Sequence, residues 1–122
     1  MTAEFYKVLH LLGLFMVIAA LGGMSLHMIN GGTRAYAARK FAAITHGIGL
    51  LLALIGGFGQ LAKLGLMADG MPGWAIGKLV IWLILGMLPM VIYRQPKMAK
   101  AFWAATMILA AFATWLVVYK PF

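Results

Sequence analysis

Residues 5–28 read FYKVLHLLGLFMVIAALGGMSLHM, an apolar run interrupted by one formal charge, Lys7, and by two histidines. A helix needs about 20 apolar residues to cross the ~30 Å hydrocarbon layer of a bilayer, and this run alone is long enough. It is also longer than the ~7–15-residue apolar core of a secretory signal, so it is expected to be retained as a span. Three further runs of spanning length follow, at residues 41–61, 74–93 and 101–119. They are separated by the turn-forming Asn30-Gly31-Gly32, by the Gly/Pro-rich stretch MADGMPG (67–73) and by a basic connection, 94–100.

The whole chain agrees with that reading. Of 122 residues, 65% are hydrophobic and 10% charged, with a mean hydropathy of +1.00. A soluble domain carries about a quarter charged residues to cover its surface, so lipid must cover this one. Backbone groups in lipid have to bond within their own segment or close a barrel, and no period-2 alternation for a barrel is present. The expected fold is an all-α integral membrane protein: one domain, 1–122, built as an antiparallel up-down-up-down four-helix bundle. The net charge of +8 is spread over span ends rather than gathered in a polar patch. Lipid headgroups are therefore the expected counter-charge, and nucleic acid is not. The chain has no cysteine, which excludes disulfides, thiolate metal sites and a cysteine nucleophile.

Charge placement orients the bundle. The connection 29–40 carries Arg34, Arg39 and Lys40, and the connection 94–100 carries Arg94, Lys97 and Lys100. The opposite side holds Lys7, Lys63 and Lys120 with both acids, Glu4 and Asp69. Short basic loops stay in the cytoplasm, so both termini are expected to face outward. Trp74, Tyr93, Trp103 and Tyr119 lie near span ends, where aromatic belts form.

Helical spacing sorts small and polar residues onto stripes. His10, Gly13, Val17, Ala20 and Met24 share one face of the first span, with His27 at its edge. Ala42, His46, Gly49, Ala53, Gly56 and Gln60 align on the second. Small residues allow close helix approach in lipid, so packing accounts for the glycines, and their density also admits a homo-oligomer or a small-solute conduit. Pro89 removes a donor inside the third span, freeing a carbonyl one turn earlier.

An ionisable group inside a span is costly and points to function. His10 and Lys78 lie at similar depths near the outward end, although Lys78 has a snorkelling alternative. His46 and His27 lie in the inward half. Two histidines on facing helices of a bundle can ligate one haem iron, with glycine making room for the macrocycle; the alternative for His46 is an interhelical hydrogen bond. Zinc has too few ligands in this chain. The ten methionines fit Cu(I) chemistry but equally fill irregular helix interfaces. Ser25 and the threonines lack a neighbouring acid–base set for hydrolysis.

Three segments carry a family resemblance: Lys7-Val8-Leu9-His10 with the Gly22-Gly23 step, Gly73-Trp74-Ala75-Ile76-Gly77-Lys78-Leu79, and Lys120-Pro121-Phe122. The first is similar to the opening helix of small bacterial membrane families, namely SirB, copper-resistance D (CopD) and the membrane protoporphyrinogen oxidase of the HemJ type. The second resembles the span entrance shared by SirB and HemJ-type proteins, and the third the HemJ-type ending. The resemblance implies a four- or five-helix fold in a bacterial inner membrane. By the HemJ pattern it implies His10 and Lys78 as the site pair, haem b as cofactor and porphyrinogen oxidation as the reaction. His46 is outside the HemJ pattern, whereas SirB-type proteins carry a histidine there. The chain is also shorter than HemJ-type proteins and lacks the polar residues they carry after the third span. The combined expectation is a haem- or porphyrin-holding bundle with a redox role. His10 and His46 are its candidate metal ligands, His27 is next, and Lys78 supplies positive charge to a carboxylate. The electron partner is unspecified.

Overall fold

The computed structural model describes all 122 residues as four long helices without strands. Helix α1 covers Ala3–Ile29, α2 Arg39–Lys63, α3 Gly73–Arg94 and α4 Ala99–Tyr119, with a single 3₁₀ turn, Pro96–Met98, ahead of α4. Each helix extends one or two residues beyond at least one edge of the apolar run that predicts it. All four are long and apolar enough to cross a membrane, and successive helices run in opposite directions. The loop end of the bundle holds the α1–α2 and α3–α4 connections, and the terminal end holds both chain ends with the α2–α3 connection.

Local chemistry sets the boundaries. Thr2 caps α1, its hydroxyl accepting from the Phe5 amide at 3.1 Å. Glu4 adds negative charge in the first turn, where the helix dipole favours it. The α1 and α2 C-termini close on left-handed glycines, Gly31 (φ 81°) and Gly65 (φ 69°). The amides of Gly32 and Leu66 return to the carbonyls of His27 and Leu61, a Schellman closure that only glycine enters without strain.

The helices do not pack evenly. Helices α1 and α2 meet along their small-residue stripes. A Cβ on Gly13 would overlap the Ala53 backbone, and one on Gly56 would overlap the backbone of His10. Gly49 faces Gly13 and Val17 in the same way. Helix α1 also touches α3 and α4, whereas α2 and α4 lie diagonally apart without contact. The short 64–72 connection does not make α2 and α3 close neighbours: they diverge, with few close approaches. The core gathers mainly in the loop-end half, around Val17, Leu21, Met24, Leu88 and Ile92. The terminal-end half is splayed.

Two side chains span the α2–α3 gap. Trp82 donates its indole N–H to the Leu50 carbonyl at 2.9 Å, and His46 Nε2 donates to the Leu85 carbonyl at 3.0 Å. Leu85 is four residues before Pro89, so its carbonyl is the one that the missing proline N–H leaves without a helical partner. His46 fills that vacancy from the neighbouring helix.

Candidate functional site

The splayed half of the bundle holds a half-open cavity of about 750 Å³ lined by all four helices, within the range of small-molecule sites. Its lining is mostly apolar, with Lys7, His10, Lys78 and Lys120 as its basic groups and Glu4 as its one acid. Leu50, Trp82 and Leu85 line its inner end, so the Trp82–Leu50 bond that ties α2 to α3 also closes the floor.

His10 is held there by the glycines of α2. Gly56 brings the α2 backbone against the His10 main chain, and Gly57 leaves room for the ring: a Cβ there would stand 3.3 Å from Nδ1. The ring reaches the Ala53 carbonyl, with Nδ1 at 2.7 Å. A carbonyl can only accept, so Nδ1 carries the proton. In the neutral ring Nε2 then bears the lone pair. A ring oriented by a carbonyl on one nitrogen, with the lone pair of the other turned to the cavity, is the arrangement that metal-binding histidines use.

Lys78 comes from α3 on the opposite wall. Its Nζ lies 3.4 Å from His10 Nε2, a long contact compared with an ordinary hydrogen bond. The side chain turns toward His10. Lys120 reaches the same cavity by another route. It follows α4 in the left-handed conformation, φ 47°, and its ammonium lies 5.3 Å from the centre of the Trp74 ring. The tail then folds across the start of α3, where the Trp74 amide donates to the Phe122 carbonyl at 3.2 Å and Gly73 packs against Phe122. Lys7, His10, Trp74, Lys78 and Lys120, drawn from the three segments quoted above, thus line a single cavity.

The other two histidines lie elsewhere. His46 is buried below the cavity floor and is not among its lining residues. Seven residues of α2 separate it from Ala53, about 10 Å along the axis, so it does not join His10. His27 sits at the loop end, with Nε2 donating to the Thr33 carbonyl at 2.7 Å and its ring stacked on Tyr36 at 3.8 Å between centroids. Both therefore commit Nε2 to a carbonyl. No group of three or more His, Cys, Asp or Glu side chains converges.

Sequence reasoning did not single out Trp82 or Tyr36. The signal for Trp82 was its position in the middle of an apolar span, where an indole N–H needs an acceptor. Tyr36 carried no such signal, since it lies in a loop.

Comparison with models of known protein families, with curated proteins and with solved structures finds no match.

Proposed function

We propose that this chain is a small multi-pass protein of a bacterial inner membrane, with both termini outward, that holds haem b or a related porphyrin in its terminal-end cavity and serves a redox role. The observation that carries the reading is His10: its Nδ1 is fixed on the Ala53 carbonyl, and its Nε2 lies among apolar walls beside a lysine. The donor set fits the group. One imidazole nitrogen is available to an iron, Lys78 and Lys120 offer cations to propionates, and the remaining lining is the apolar surface that a macrocycle requires. A bound iron porphyrin would supply one-electron redox chemistry at a potential set by its axial ligand and surroundings.

The chain's own residues do the rest. Ala53 fixes the His10 tautomer, and Gly57 admits the ring. Trp82 closes the inner end, and Lys78 and Lys120 hold carboxylates toward the terminal end. His46 acts in this reading as an interhelical donor rather than a ligand.

Titrating detergent-purified protein with haemin tests the proposal. The wild type is expected to develop a shifted Soret band at one equivalent and His10→Ala to lose it. Lys78→Gln should bind about tenfold more weakly through loss of one charge-assisted contact. His46→Ala should keep the band. Wild-type protein that shows no Soret shift after haem addition would remove the proposal.

A further inference from the structure

The loop end of the bundle carries a second feature that the cavity does not use. Six basic residues lie there, Arg34, Arg39, Lys40, Arg94, Lys97 and Lys100, and no acid. Glu4 and Asp69 are at the opposite end, a helix length of about 40 Å away. Two of the cations are not spread over the surface. The guanidinium carbons of Arg34 and Arg39 lie 6.0 and 5.4 Å from the centre of the same ring, that of Tyr93.

The loop that brings them together is built rather than loose. His27 binds the Thr33 carbonyl and stacks on Tyr36, the Tyr36 and Tyr93 hydroxyls are hydrogen-bonded to each other, and Gly32 sits so close to the His27 ring that a Cβ would overlap it. Arg34 is thus fixed between two anchored residues, Thr33 and Tyr36, while Arg39 opens α2. A neutral ring attracts each guanidinium but does not neutralise either one. Two like charges held within about 6 Å of one ring centre, with neither acid at this end of the bundle, leave positive charge for an external anion.

We propose that Arg34 and Arg39 at the Tyr93 ring form a specific site for the phosphate of an anionic phospholipid headgroup in the leaflet at the loop end. Guanidinium forks match phosphate oxygens two at a time. The position commits the source to lipid: both arginines flank membrane-spanning helices, at the depth where headgroups lie. This inference is independent of the cavity and its ligand.

The test is lipid retention by the full-length protein in detergent, read by native mass spectrometry after exchange with phosphatidylglycerol or phosphatidylcholine. One retained phosphatidylglycerol per chain and no retained phosphatidylcholine is the expected result. The charge-conserving Arg34→Lys/Arg39→Lys variant should weaken retention on the order of tenfold, because lysine lacks the fork. Lys97→Gln/Lys100→Gln, which removes two charges from the same end, should weaken it less. Diffuse attraction predicts the reverse order, no effect of the arginine-to-lysine exchange and a loss with the glutamines, and that outcome overturns the site. Displacement of the bound phosphatidylglycerol by millimolar glycerol phosphate would show a soluble-phosphate site and overturn the lipid assignment. A circular-dichroism melt of each variant in the same detergent separates lost binding from lost folding.

Discussion

His46 and Pro89 are 43 positions apart in sequence and share one carbonyl. The proline leaves the Leu85 oxygen without its helical donor, and the histidine supplies one from α2. Their stabilities are therefore coupled. His46→Ala should destabilise the protein by about 1 kcal/mol, in the range of interhelical hydrogen bonds in membranes. In a Pro89→Ala background, where the restored amide serves Leu85, the same change should cost measurably less. A double-mutant cycle by reversible denaturation in mixed micelles reads the difference, and strict additivity would refute the coupling. The freed carbonyl was legible from Pro89 alone, and an interhelical bond was one of two readings of His46. Their meeting was not legible, because it depends on the axial register of α2 against α3, which apolar filler does not encode. At His10 the reverse holds: its depth, similar to that of Lys78, followed from counting turns and its pairing with Lys78 from the family resemblance, whereas the carbonyl that fixes its tautomer followed from neither.

Among the elements, α1 and α2 form the tight pair and α4 is the most lipid-exposed, with only Ala99, Thr106 and Leu116 buried. The glycine stripe predicted the first contact well, since four of the five buried positions of α2, His46, Gly49, Ala53 and Gly56, lie on the expected face. Gly56→Leu should cost about 2–3 kcal/mol through overpacking and also displace His10, lowering cavity affinity. Gly47→Leu, on a lipid-facing position with open space beyond it, should stay within about 0.5 kcal/mol. Thermal unfolding in detergent compares the two, and equal losses would contradict the packing described. The divergence of α2 from α3 was not legible. A short connection predicts neighbours, but it sets only where two helices start, not the angle between them.

For the molecule as a whole, the fold was legible almost entirely from hydropathy, because spans must satisfy their own backbone groups and few architectures do so. The cavity was not legible, since it is an absence of packing produced jointly by four helices. Charge is distributed unevenly along the bundle axis: six basic residues and no acid at the loop end, against Lys7, Lys63, Lys78 and Lys120 with two acids at the other. This asymmetry should place the loop end in the cytoplasm. The chain has no native cysteine, so single-cysteine variants report orientation directly. Asp69→Cys should react with a membrane-impermeant maleimide in intact cells, and Lys97→Cys only after permeabilisation. The opposite labelling would reverse the orientation and move the terminal-end cavity to the other side of the membrane.

The ties made by His10, His46 and Trp82 share a property with a practical consequence: each ends on a main-chain oxygen, at Ala53, Leu85 and Leu50. Side-chain replacement at those three acceptors leaves the oxygen in place, so mutational scanning will register only the donor partner of each bond. Isotope-edited infrared spectroscopy of carbonyls 50, 53 and 85 detects the silent halves, as a downshifted amide stretch that returns when the matching donor is removed.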